Sequence, residues 1–479
     1  MGQTGPERSS RMPGFYKLDV GQRLEHLDKF VHLTPDEKHI LRREPLSLST
    51  ADMMTENVVG IMGMPFGLGV NFRINERDYV VPMVVEEASV VAAASHMAKL
   101  LREHGRLTAE ADEPVLIGQI QVTDVPDIEG AKAALLGNEG RILALANAQD
   151  PVLATLGGGA KDIEVRALDT NAGRMIILHL LVDVRDAMGA NAVNTMAEAI
   201  APLVETLTGG KVLLRIISNL ADHRLARARL TIAPEAFSEH GREGRDVADG
   251  IVSASAFASA DPYRAATHNK GIMNGVDALL LATGNDWRAV EAGAHAYACR
   301  SGRYSPLSHW IRDPRGDLAG EIELPMSVGI VGGATKANPT ARIALKILGV
   351  NSARELAAVA AALGLVQNLA ALRSLVAEGI QRGHMILHAR SVAISAGAVG
   401  DMAIHVASQM VREGTIGMER ASEIVHHLSR LGTEALKLAH EGARGLHQHV
   451  DEARKRDAQK QESARDDSEK KREPPNPPA

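Results

Sequence analysis

The spacing of apolar residues changes period several times between positions 114 and 220. Residues 114–125 carry Val115, Leu116, Ile117, Ile120 and Val122 and predict a strand. Residues 128–149 carry Leu135, Leu136, Ile142, Leu143 and Leu145 and predict a helix. A short strand is expected at 162–167, a strongly apolar strand at 174–184, an amphipathic helix at 190–207 and a closing strand at 211–218. This β-α-β-β-α-β order is the split βαβ signature of a ferredoxin-like unit.

The flanks, 53–101 and 221–381, are richer in helical spacing. Residues 353–376 repeat Leu356, Val359, Ala360, Leu363, Val366 and Leu369 at helical intervals, and a last helical stretch runs from 383 to 439. The expected fold class is α+β. A large, mostly helical, discontinuous domain (13–112 and 220–380) surrounds an inserted ferredoxin-like domain (113–219), and a helical C-terminal flap (381–440) follows. A polar leader (1–12) and a charged tail (441–479) flank these parts. The tail turns to Lys, Arg, Asp, Glu and Gln and ends in Pro475-Asn476-Pro477-Pro478. So few large apolar residues do not offset ordering entropy, so disorder is expected there.

Composition sharpens this picture. The 479 residues correspond to roughly three domains at ~150 residues each. With 53 basic and 59 acidic residues the net charge is −6, which argues against a nucleic-acid binder working through bulk charge. Aromatics at 3% argue against stacking on single strands. Cys299 alone excludes an internal disulfide and a Cys-rich zinc module, and fits a reducing compartment. Apolar stretches such as 175–184 and 278–282 are too short to span a bilayer. The first 13 residues lack an apolar targeting core. A soluble, cytoplasmic protein without membrane or nucleic-acid partners is expected.

Four segments are candidates for chemistry. Arg185-Asp186-Ala187-Met188-Gly189-Ala190-Asn191 lies where a strand gives way to a helix. Small residues there admit a ligand to the backbone, and free N–H groups at a helix start suit a diphosphate. A plain turn capped by Asp186 or Asn191 is the commoner outcome of such spacing. No Gly-x-Gly-x-x-Gly fingerprint is present. The clusters Gly157-Gly158-Gly159 and Val331-Gly332-Gly333-Ala334-Thr335 read more readily as turns.

Lys270 stands among amides and glycines in Thr267-His268-Asn269-Lys270-Gly271-Ile272-Met273-Asn274-Gly275, just before an apolar run. A partly buried lysine at an element end stabilises an oxyanion; a surface loop lysine is the more frequent case. Asp286 is placed either to pair with that lysine or to cap the helix starting near Arg288. Glu86 and Glu87 run into an all-small segment. If Glu87 opens a buried helix, burial makes it a proton donor near neutrality; two acids decorating a first turn are an equal alternative. His384 and His388 share a helical face, but Met385 replaces the glutamate of the zincin pattern and no third ligand is evident. No metal is expected, and a single proton-donating histidine competes with a solvated one.

Taken together these segments resemble the 3-hydroxy-3-methylglutaryl-CoA (HMG-CoA) reductase family in its bacterial, class II form. The carriers are Glu56-Asn57-Val58-Val59-Gly60 and the stretches 82–95, 186–195, 262–275, 283–299, 329–335 and 379–390. The resemblance implies Glu87 as catalytic acid, Lys270 as oxyanion stabiliser, Asp286 as the residue coupling them, and His384 as the proton donor to the departing CoA thiolate. It implies Ser89, Arg264 and Asn274 as substrate-binding residues. It also implies that Asp186, Ala187, Met188, Gly189, Ala190 and Asn191 hold the dinucleotide. The implied reaction interconverts HMG-CoA with mevalonate and CoA by two hydride transfers, through mevaldyl-CoA and mevaldehyde. Asp150 aligns with an acidic residue that contacts the adenosine ribose in NAD-preferring relatives, so NAD(H) is the expected cofactor. A homodimer with shared active sites is implied as well. The neighbouring readings are a reductase of a related 3-hydroxyacyl-CoA and an NADP(H)-preferring enzyme of the same reaction. A non-catalytic relative would lack Glu87, Lys270, Asp286 or His384, and all four are present.

Overall fold

Side-chain caps set the first helices: α1 (Val20–Val31) and α2 (Pro35–Arg42) open on capping boxes formed by Asp19 with Gln22 and Thr34 with Glu37. Helix α3 (Leu48–Met54) is capped by Ser47. The computed structural model describes residues 9–43, 46–238, 242–377 and 389–429. Ser10, at the end of the expected polar leader, is fully buried. Its amide donates to Asp78 (2.9 Å) and its hydroxyl to the Phe72 carbonyl (2.8 Å).

A hairpin follows, β1 (Phe66–Ile74) and β2 (Arg77–Val84), and then α4 (Val90–His104). The sequence pattern did not disclose this hairpin inside 53–101. Residues 79–83 are buried in succession, and a strand covered on both faces loses the alternation that distinguishes it from a buried helix.

Strand β3 (Gly105–Ala111) leads into the middle segment: β4 (Val115–Thr123), α5 (Ile128–Gly137), α6 (Glu139–Asn147), α7 (Pro151–Thr155), β5 (Gly159–Thr170), β6 (Gly173–Asp183), α8 (Ala190–Thr208) and β7 (Lys211–Ile217). Its antiparallel sheet has the order β5-β6-β4-β7, the split βαβ arrangement. The helix expected over 128–149 is broken in two. Asn138 ends α5 with its side-chain amide on the Ala134 carbonyl (2.8 Å), and α6 restarts behind it. Leu116, Ile120, Leu178 and Leu180 pack against Val193, Met196 and Ile200 of α8 in a core separate from the main one.

The main core combines β8 (Leu225–Ile232), α9 (Gly244–Ala260), α10 (Pro262–Ala282), α11 (Trp287–Ala298), β9 (Ser308–Arg312) and β10 (Leu318–Pro325) with, beyond the short α12 (Gly333–Ala337), α13 (Pro339–Leu348) and α14 (Ala353–Ala377). Its four-stranded sheet, β3-β8-β10-β9, makes this part less purely helical than the sequence suggested. Helix α14 is long and apolar enough to cross a membrane by length and composition, contrary to the expectation that no stretch is. It is instead buried in this core, with Leu356, Val359, Leu363, Val366 and Leu369 all inaccessible. Small residues let α10 lie close against it: a Cβ on Gly275 would stand 3.0 Å from that of Gln367.

The chain up to Ala377 is one compact unit, and residues from Glu378 form a second. The described part of the second is helical at 389–395, Asp401–Glu413 and 418–429, around Ala393, Val406, Met410 and Ile424. The expected charged tail lies outside the described residues.

Candidate active site

Lys270 lies in the interior of α10, not at an element end as its glycine-rich surroundings suggested. Gly271 and Gly275 serve the helix rather than a loop, Gly275 by admitting α14. A buried polar cluster holds this part of α10. The His268 Nε2–H donates to Ser308 Oγ (2.7 Å), whose hydroxyl donates to Asn368 Oδ1 (2.9 Å), and the Trp310 indole donates to the same oxygen (2.8 Å). Burial pushes His268 down to about 3, so it stays neutral. Asn269 donates to Tyr304 Oη and the Ser305 carbonyl, both at 3.0 Å, and accepts from Leu307 N at 2.9 Å. Lys270 is thereby flanked by two anchored neighbours while its own side chain is 61% exposed.

Glu87 comes to it from the β2–α4 connection, with Nζ to carboxylate at 2.7 Å. Glu87 does not open a buried helix. It is exposed in a turn, and α4 starts only after Ser89, which adopts φ 77° as its N-cap. Ser89 is a non-glycine residue in the left-handed region, a conformation that surrounding structure must hold in place. Asn274 is one turn beyond Lys270 on the same side of α10. Arg264 is on the preceding turns, and burial lowers its pKa from the usual value. No carboxylate among the described residues forms an ion pair with it.

Asp286 caps α11, accepting from Ala289 N at 3.1 Å, and lies 3.7 Å from Arg288. Of the two placements expected for it, the structure shows the cap; it makes no hydrogen bond to Lys270. His384 and His388 lie outside the described residues. Among the described residues no group of three or more His, Cys, Asp or Glu side chains is arranged to hold a metal.

The turn holding Asp286 is tied to residues 186–188 by one glycine. Gly329 N donates to Asn285 Oδ1 (2.7 Å), and a Cβ on Gly329 would stand 2.3 Å from Met188 N. Ile330 N donates to the Asp186 carbonyl (2.9 Å), and Val331 forms a parallel bridge with Ala187. The Asp186 carboxylate accepts from Ala353 N (2.8 Å) at the start of α14, a cap given to a distant helix. Gly189, at φ 103°, opens α8, and a Cβ there would meet Val184 at 2.5 Å. No acidic residue occupies the first turn of α8. An anion approaching these N–H groups therefore meets no acidic side chain in the first turn of α8, which fits a dinucleotide diphosphate.

Asp150 caps α7 through Leu153 N (2.9 Å). That helix runs into Gly157 and Gly158. Arg185 donates to the Gly157 carbonyl, and a Cβ on Gly158 would stand 2.8 Å from the Asp183 carbonyl. Asp150 thus belongs to the same end of the sheet as residues 186–191. Asn285 and Gly329 lie in the stretches 283–299 and 329–335 that the sequence singled out, but without a role of their own, and Arg224 was missed altogether. Arg224 is a buried guanidinium whose one visible signal was a position in an arginine-rich run.

The family model described as hydroxymethylglutaryl-coenzyme A reductase matches residues 19–389. A 3-hydroxy-3-methylglutaryl-coenzyme A reductase of Archaeoglobus fulgidus is 54% identical over 420 residues, covering 88% of this chain and 95% of the relative. A solved structure of 3-hydroxy-3-methylglutaryl-coenzyme A reductase from Streptococcus pneumoniae is 42% identical with a TM-score of 0.75, covering 87% of this chain and 99% of that one. A class II structure from the same organism, described as bound to NADPH in open conformations, is 43% identical with a TM-score of 0.74, covering 76% and 99%. The chain belongs to the hydroxymethylglutaryl-coenzyme A reductase family.

Proposed function

We propose that this protein reduces HMG-CoA to mevalonate and free CoA with a nicotinamide dinucleotide. The observation that carries this reading is the Lys270–Glu87 pair, an ammonium donating to a carboxylate 2.7 Å away with both side chains open to solvent. Converting a thioester to an alcohol takes four electrons, hence two hydrides. When bound, the reduced dinucleotide supplies a hydride for each reduction.

The chain's own residues do the rest. The Lys270 ammonium stabilises the charge that develops on the thioester oxygen. His384 is assigned the proton that the departing CoA thiolate takes up. Glu87 gives a proton to the mevaldehyde oxygen in the second reduction. Asp286 is assigned the electrostatic coupling of Glu87 to Lys270. Arg264, lacking a carboxylate ion-pair partner among the described residues, suits the carboxylate of the hydroxymethylglutaryl group, with Ser89 and Asn274 beside it.

Residues 186–191 are proposed to hold the diphosphate. Asp150 is proposed to accept from an adenosine 2′-hydroxyl. A carboxylate there repels a 2′-phosphate, which favours NADH. We further propose a cytoplasmic homodimer. The exposed apolar side chains of Met53, Val59, Met62 and Tyr263 support this, since a second copy would cover them.

The test is to give the purified chain HMG-CoA with NADH or NADPH in parallel, following dinucleotide absorbance and thiol release. Oxidation that depends on HMG-CoA, runs faster with NADH and releases thiol is expected. Faster turnover with NADPH keeps the reaction and overturns the role of Asp150. Silence with both dinucleotides overturns the reading.

A further inference from the structure

Arg224 sits between β7 and β8 and is 4% exposed. Its Nη1 donates to the Met188 carbonyl (3.1 Å), and its Nη2 reaches the carbonyls of Ala187 (3.4 Å) and Val328. It makes no side-chain ion pair among the described residues, and Asp183 and Asp186 act on it only through charge. Burial pushes it down to about 10, so it remains a cation at neutral pH.

Burying a guanidinium is costly unless its donors are used. Here they serve main-chain carbonyls from the two segments that meet at the candidate site, 187–188 and 328. The peptide plane makes this consequential. A carbonyl drawn inward leaves the N–H of the following residue pointing the opposite way. For Met188 that following N–H is Gly189, at the start of α8. The Arg224 main chain is held in the same assembly, its carbonyl accepting from Met326 N at 3.0 Å.

We infer that Arg224 is a positioning residue for the dinucleotide. From below, it fixes the Ala187–Met188–Gly189 backbone in the orientation that presents the start of α8 to the diphosphate. This rests on the proposal that residues 186–191 form the dinucleotide loop. A lysine would substitute only in part, since one ammonium lacks the planar fork that reaches several carbonyls at once.

The experiment is calorimetric binding of NADH, and separately of HMG-CoA, to the full chain and its variants. Arg224→Met is expected to weaken NADH binding by at least about tenfold and HMG-CoA binding by less than about twofold. Arg224→Lys is expected to restore part of the NADH affinity. Unchanged NADH affinity in Arg224→Met, or equal losses for both ligands, overturns the inference. Gly329→Ala covers the case in which Arg224→Met does not fold. It drives a methyl toward Met188 N and displaces the same backbone from the other side. It too must weaken NADH selectively, and no effect overturns the inference. Ala190→Glu separates the two claims by placing a carboxylate at the start of α8. If Ala190→Glu binds NADH normally, the loop assignment itself falls. If it binds weakly while Arg224→Met binds normally, only the role of Arg224 falls.

Discussion

The Lys270 ammonium stands 2.7 Å from the carboxylate of Glu87, 183 positions earlier in the chain. Their side chains are 61% and 47% exposed. A pair this open contributes little to stability, so its geometry is better explained by chemistry than by folding.

Lys270→Met is therefore expected to separate the two roles. Loss of the cation proposed to stabilise the oxyanion should lower kcat by about 10²–10³-fold. Thermal unfolding should shift by no more than about 4 °C. Steady-state kinetics and a melting curve on the same preparation check this. A large Tm loss with proportionate activity loss would make Lys270 structural.

Asp150→Ser tests cofactor choice. Serine still caps α7, so stability should change by less than about 1 kcal/mol. Removing the carboxylate also removes the repulsion of a 2′-phosphate proposed for it. The ratio of kcat/KM for NADH over NADPH should then fall by about tenfold or more. An unchanged ratio places cofactor discrimination elsewhere.

His268 gives the fold an acid-side weakness. Folded His268 has its pKa lowered to about 3, against 6.5 for an ordinary histidine. Above 6.5 both folded and unfolded chains carry it neutral, and its contribution is complete. As the pH falls from 6.5 toward 3 the unfolded chain takes up a proton that the folded one refuses. Stability is then lost at up to about 1.4 kcal/mol per pH unit. Denaturant titrations at pH 7 and pH 5 should show this loss, and His268→Gln should show less of it. An equal pH dependence in both proteins would rule out His268 as the source.

Packing around β10 supplies a further test of stability. A Cβ on Gly320 would stand 2.3 Å from the Trp310 ring. Gly320→Ala should destabilise by about 1–3 kcal/mol through overpacking. Wild-type stability in this variant would mean that the indole moves aside freely.

Several features were legible in the sequence because they depend on short-range pattern. The alternation in β4, the apolar run of β6 and the helical repeat of α14 all lie where their spacing placed them. The β1–β2 hairpin was not legible, because burial of residues 79–83 on both faces erases alternation. Lys270 was misplaced because glycines that admit α14 resemble the glycines of a loop. The Lys270–Glu87 contact itself is tertiary, and no local spacing encodes it. Asp286 was legible as a cap, whereas Asp186, expected to cap the turn into α8, leaves that place to Gly189. That Asp186 caps a helix 167 positions away was not legible. Arg224 carries no motif and Gly329 only opens the 329–335 stretch, and their part emerges only when two distant backbones meet.

The proposed reduction runs from thioester to alcohol at one site. The direct measurement is stoichiometry: dinucleotide oxidised, thiol released and mevalonate formed in one reaction at limiting HMG-CoA. Two equivalents of dinucleotide are expected for each thiol and each mevalonate. One equivalent per thiol, with an aldehyde accumulating in place of mevalonate, would contradict it.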